Sequence, residues 1–203
     1  MTGEGTHRTT IGSQSVDLPL VAVADDCTIA LLVCVDLGVG FAEVAGRELA
    51  ERLAPFRPEL VVSVATMGIP LAIEVTRSLG LDDYVILHKT PKIHLGGSLV
   101  EPVRSITTDI PQTLRMDPAR AAVVRGRRVA VVDDVISTGA STAAALSLVR
   151  RVGAEPVAVG VLMTEGRAWE RALGTDAASV VALGAVPVFR PDPAGSGLRP
   201  DWD

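Results

Sequence analysis

Short apolar runs, each giving way to a helical repeat, are the feature that most narrows what this chain can fold into. Runs at 60–65, 84–87, 129–133, 157–162 and 179–182 read as strands. Helices are predicted at 69–79, 140–152 and 167–173, with an earlier one carried by Phe41, Val44, Ala45, Leu49 and Leu53 at helical spacing. Strands that are continuously apolar must be covered on both faces, and strand-helix alternation supplies that cover, so the expected class is α/β, a central parallel sheet flanked by helices. The 48% hydrophobic content with only 3% aromatic points to a core of Val, Ala and Leu, and 203 residues suffice to fill one such domain.

Two stretches depart from the alternation. Segments 10–24 and 28–35 read as paired strands around an Asp25-Asp26 turn, and with residues 186–190 they predict a small hood built from N-terminal and C-terminal segments. Thr, Ser and Val across 97–115 suggest an antiparallel pair carrying a flexible loop. The tail from Arg190, with its Pro, Gly and Asp, reads as loosely held. The expected organisation is therefore hood strands over 1–36, a core domain over 37–190 and a tail over 191–203.

The chemistry is concentrated in residues 129–142, VAVVDDVISTGAST. A buried strand there delivers two carboxylates, Asp133 and Asp134, and a turn of small residues then opens an Ala-rich helix. Ser137, Thr138, Gly139, Ala140 and Ser141 can aim backbone N–H groups and hydroxyls at one phosphate, and the helix dipole adds to this. The two Asp side chains would repel a phosphate on top of them; they suit sugar hydroxyls or a hydrated Mg²⁺ held through water. No Gly-Lys-Ser/Thr ends the turn, so it is not a Walker loop. A second apolar strand runs into Ala65, Thr66, Met67 and Gly68, with Pro70 where a helix would start. Lys89 and Lys92 flank a turn after the strand at 84–87, as mobile point charges suited to a polyanion.

These segments together resemble the type I phosphoribosyltransferases, over roughly residues 36–185. The resemblance implies that Asp133 and Asp134 contact the ribose hydroxyls of 5-phosphoribosyl 1-pyrophosphate (PRPP) and the water shell of Mg²⁺, and that the 137–141 turn wraps its 5′-phosphate. It assigns the pyrophosphate to Ala65, Thr66, Met67, Gly68, Lys89 and Lys92, with a non-proline cis peptide near Ala65 and Thr66. His88 stands where Arg is frequent in the family. Residues 93–108 resemble the loop that closes over substrates and keeps water from the activated ribosyl centre. Adenine-specific members carry a Glu late in that loop; here Glu101 and Asp109 are nearby but out of register, leaving a general acid/base unassigned.

The spacing is nearest to the adenine, xanthine and purine-repressor effector group. The implied activity is transfer of the phosphoribosyl group of PRPP to a purine base, adenine being the best single choice, with release of pyrophosphate; the alternative is a catalytically silent PRPP sensor. The basic loop motif of the orotate branch is not apparent. Base recognition would fall to segments near 33–36 and 186–190, and a homodimer is implied by likeness alone. Residues 1–36 are too short and strand-like for a repressor's winged helix, and a net charge of −5 with no long basic run gives no nucleic-acid footprint. Cys27 and Cys34 form no CxxC and read as small buried hydrophobes, pointing to reduced thiols in a cytoplasmic protein. Apolar runs reach about seven residues, short of a membrane span, and the first residues carry no basic lead into an apolar stretch.

Overall fold

The structure is a computed structural model that describes residues 5–90, 97, 99–103, 112–195 and 197–203. In chain order its elements begin with β1 (Thr6–Ile11), β2 (Gln14–Ala24), β3 (Cys27–Ala30), α1 (Gly38–Leu53), β4 (Leu60–Val64) and α2 (Gly68–Ser78). There follow β5 (Tyr84–Leu87), β6 (Leu99–Val103), β7 (Gln112–Met116), α3 (Pro118–Val124), β8 (Arg128–Ile136) and α4 (Ala140–Arg151). The chain closes with β9 (Glu155–Glu165), α5 (Ala168–Leu173), β10 (Val180–Val186), β11 (Val188–Pro191) and β12 (Leu198–Asp201).

The apolar runs form one parallel sheet in the order β10-β9-β8-β4-β5. All five residues of β4 are buried, as a strand covered on both faces requires. On one side Leu49 and Leu53 of α1 and Leu71 and Val75 of α2 pack on Val61, Ala130, Val132 and Ala158. On the other, Leu146, Leu148 and Val149 of α4 pack on Val62, Val131 and Val159, joined by Leu114 and Met116 of β7. The α/β layering predicted from the alternation is what forms, and β6 and β7 pair antiparallel as expected for 97–115.

The hood is a second, antiparallel sheet in the order β1-β2-β3-β11-β12. Three details of this hood region and the tail differ from the sequence reading. Segment 10–24 is interrupted at Gly12, whose φ of +58° makes a turn between β1 and β2. Residues beyond Ala30 leave the sheet for a short 3₁₀ turn, Cys34–Leu37, rather than continuing a hairpin strand to 35. The tail is held more firmly than its composition suggests, since β12 pairs with β11 and Arg190 bonds both Asp201 and Asp26. Helix α3 was not foreseen; Asp117 caps it by accepting from Ala119 N at 2.9 Å, with Pro118 in its first turn.

Strand β8 also runs further than predicted. The acidic pair is not at its end: the ladder with β9 continues to Ile136↔Thr164, whereas the ladder with β4 stops at Ser63↔Val132. Because β4 ends one residue later and turns away, Asp133 emerges beside an open strand end even though its own strand continues.

Candidate functional site at the strand ends

Three elements meet around Asp133. Its Oδ1 accepts from the backbone N–H of Asp134 at 3.0 Å. Burial and the adjacent Asp134 charge push its carboxyl well above the ordinary range, while Lys89 pulls in the opposite direction. Gly68, the first residue of α2, packs so closely that a β-carbon there would overlap Ser63 Oγ and lie 2.8 Å from Asp133 Oδ1. Only glycine fits, for reasons of approach rather than backbone angle.

The turn that feeds Gly68 contains a cis peptide between Ala65 and Thr66, at the position the family resemblance implies. Ala65 N–H is anchored on Leu87 O at 2.8 Å, tying the turn to the end of β5 just before His88 and Lys89. Cys34, from the 3₁₀ turn below the hood, donates its thiol to Met67 O at 2.8 Å. Burial, followed by the charges of Asp134 and Asp133, lifts that thiol to about 12, so it stays protonated and remains a donor. The sequence reading treated Cys34 as a packing residue and missed this tie; no motif signals it.

Helices α2 and α4 both begin without a side-chain cap. In α2, however, Ile69 N bonds Thr66 O at 3.2 Å and Pro70 has no N–H, so the start of α4 is the freer of the two. Ahead of α4, Gly139 adopts φ +78°, and a β-carbon there would meet Trp169 Cα and Ala172 Cβ of α5 at 3.1 Å. Thr138 Oγ1 makes only a long 3.4 Å contact with Ala140 N. Ser137 faces Glu165, a carboxyl that is only 6% exposed, whose pKa burial raises and the Ser137 hydroxyl lowers. Glu165 was not singled out from sequence because its run of buried neighbours reads as plain strand.

The structure therefore brings together Asp133, Asp134, the 137–141 turn, Ala65, Thr66, Met67, Gly68 and Lys89 around one group of strand ends. Lys92 and Asp109 lie outside the described residues. Glu101 is occupied elsewhere: its carboxylate accepts from Ser147 Oγ at 2.9 Å and from Arg151 at 2.5 Å, near the far end of α4. That is about 10 Å along the helix from the 137–141 turn.

The donor set fits an ion delivered with a substrate rather than caged by protein. Among the described residues no group of three or more His, Cys, Asp or Glu could hold a metal, but two neighbouring carboxylates, one strongly desolvated, stand ready for a cation's water shell. No helix of the described residues is long and apolar enough to cross a membrane.

The chain is similar to known proteins in family and in fold. Residues 40–180 match the family described as the phosphoribosyl transferase domain. The chain is 29% identical over 122 residues to a xanthine phosphoribosyltransferase of Laribacter hongkongensis, covering 60% of this chain and 63% of that protein. It is 29% identical over 123 residues to an orotate phosphoribosyltransferase of Caldanaerobacter subterraneus, 61% of this chain and 53% of that protein. An adenine phosphoribosyltransferase of Rhodospirillum centenum is 32% identical over 117 residues, 57% of this chain and 64% of its own. The chain thus spans only about three-fifths of the curated relatives it matches. The crystal structure of an adenine phosphoribosyltransferase from Thermoanaerobacter pseudethanolicus shares the fold at a TM-score of 0.68 and 17% identity, over 82% of this chain and 94% of that one.

Proposed function

The chain belongs to the phosphoribosyl transferase domain family, and on that premise we propose that it transfers the 5-phosphoribosyl group of PRPP to a purine base, adenine foremost, releasing pyrophosphate. The observation that carries this reading is the meeting of an acidic pair, its Asp133 carboxyl desolvated, with the closely packed Gly68 turn and the turn that opens α4, which suits a pentose bearing phosphate groups at both ends. Asp133 and Asp134 accept from the ribose hydroxyls. The N–H groups at the start of α4, with Thr138 and Ser141, bind the 5′-phosphate. The Thr66–Gly68 turn, Lys89 and Lys92 bind the pyrophosphate. Mg²⁺, held by the acidic pair through water, would neutralise charge on the departing diphosphate. The bond to the leaving group breaks with positive charge developing on the sugar, so the protein's work is to grip both phosphate groups and keep water out; no covalent nucleophile is needed. Adenine is preferred among bases because adenine phosphoribosyltransferases recur among the relatives and the solved structures. A homodimer in the cytoplasm completes the proposal.

Incubation with PRPP, Mg²⁺ and a panel of adenine, guanine, hypoxanthine, xanthine and orotate tests it. Nucleotide formation with adenine, accompanied by pyrophosphate, is expected; nucleotide from another base alone changes the base, and none from any base removes the enzyme reading. Asp134→Asn should weaken PRPP binding about tenfold or more while the protein stays folded, as expected for a lost charge-assisted contact.

A further inference from the structure

A cation that none of the sequence motifs includes stands on the strand bridged to the end of β5. Arg115 stands on β7 between Leu114 and Met116, both fully buried in the layer that faces α4. Strand alternation turns Arg115 to the opposite face of the ribbon. Its backbone exchanges both bonds of a bridge with His88, Arg115 N to His88 O at 2.9 Å and His88 N to Arg115 O at 3.0 Å. Directly paired residues share a face, so Arg115 and His88 project together. Two and four residues before His88, Ile86 and Tyr84 pack in the layer that contains α2, which places Arg115 on the side of the sheet where α2 starts. Leu87, next to His88, accepts the N–H of Ala65 from the cis-peptide turn, and Lys89 follows His88 directly.

Arg115 Nε is buried and has no hydrogen-bond partner among the described residues. A buried guanidinium N–H without an acceptor is costly, and a bound anion would supply one. We propose that Arg115 is a binding residue for the diphosphate leaving group, acting with Lys89 and the 65–68 turn; this rests on the PRPP reading above. The planar guanidinium fork can take two oxygens of one phosphate, which Lys89 as a point charge cannot. Because the bridge fixes Arg115 to the end of β5, the cation is placed by the sheet rather than by a loop.

Calorimetry with Mg²⁺-pyrophosphate and, separately, with ribose 5-phosphate on the full chain and on Arg115→Gln and Arg115→Lys tests the assignment. Arg115→Gln should weaken pyrophosphate binding about ten- to a hundredfold, as loss of a charge-assisted fork predicts, with ribose 5-phosphate binding unchanged. Arg115→Lys keeps the charge but not the fork and should fall between. Unchanged pyrophosphate affinity in Arg115→Gln overturns the assignment while leaving the PRPP reading intact. A parallel loss of both ligands, with a lowered Tm, also overturns it by showing a structural role. An unaltered chain that binds neither pyrophosphate nor PRPP overturns both readings.

Discussion

At the scale of single residues, close approach decides more than charge does. Gly68→Ala would set a methyl against Asp133 Oδ1 and against Ser63 Oγ, which lies on a fully buried strand. The expected cost is about 1–3 kcal/mol in chemical denaturation, together with loss of PRPP binding, since the same methyl displaces the carboxyl proposed to face the sugar. Glu165 gives a pH signature instead. Burial raises its pKa, so the folded chain holds this proton more tightly than the unfolded chain; its contribution is greatest in acid and declines as pH rises from the ordinary carboxylate range through the raised value. Glu165→Gln cannot ionise, so its Tm relative to the parent should improve over the range upward from about pH 4, the ordinary carboxylate value. A Tm difference that stays flat across that range would mean the carboxyl is not desolvated.

At the scale of elements, the proposed 5′-phosphate site depends on how helix α4 starts. Gly139 holds the left-handed angle that leads into it and fits tightly beneath Trp169 and Ala172. Gly139→Ala should cost about 1–2 kcal/mol and weaken ribose 5-phosphate more than pyrophosphate, which binding isotherms for the two ligands would resolve. Much of this element was legible beforehand. Four apolar residues, an acidic pair, a small-residue turn and an Ala-rich helix are local signals, and the cis peptide fell where likeness put it. What was not legible depends on partners distant in sequence. The extent of β8 past Asp133 is set by β9, and the ties from Cys34 to Met67 and from His88 to Arg115 join segments about 30 residues apart with no pattern to announce them. The strand at Leu198–Asp201 was hidden by its Pro and by dependence on Arg190 for anchoring.

At the scale of the whole molecule, two layers of aliphatic packing hold the parallel sheet, and the site occupies the one end where that packing stops. Ligand binding should therefore register as global stabilisation. PRPP with Mg²⁺ at a hundredfold excess over its Kd should add about 2.7 kcal/mol, or roughly 5–10 °C in Tm for a chain of this size, readable by scanning calorimetry. The sheet's margins carry a further consequence. Along β10, Gly12 N–H from the hood takes Leu183 O at 3.0 Å; along β5, Arg120 takes Tyr84 O at 2.9 Å and the bridge from Arg115 closes the far end. With both flanks partly occupied, this sheet offers a foreign chain less of a template than an open edge would. Arg115→Pro, which removes the N–H given to His88 O, should reopen the end of β5 and raise light scattering on heating.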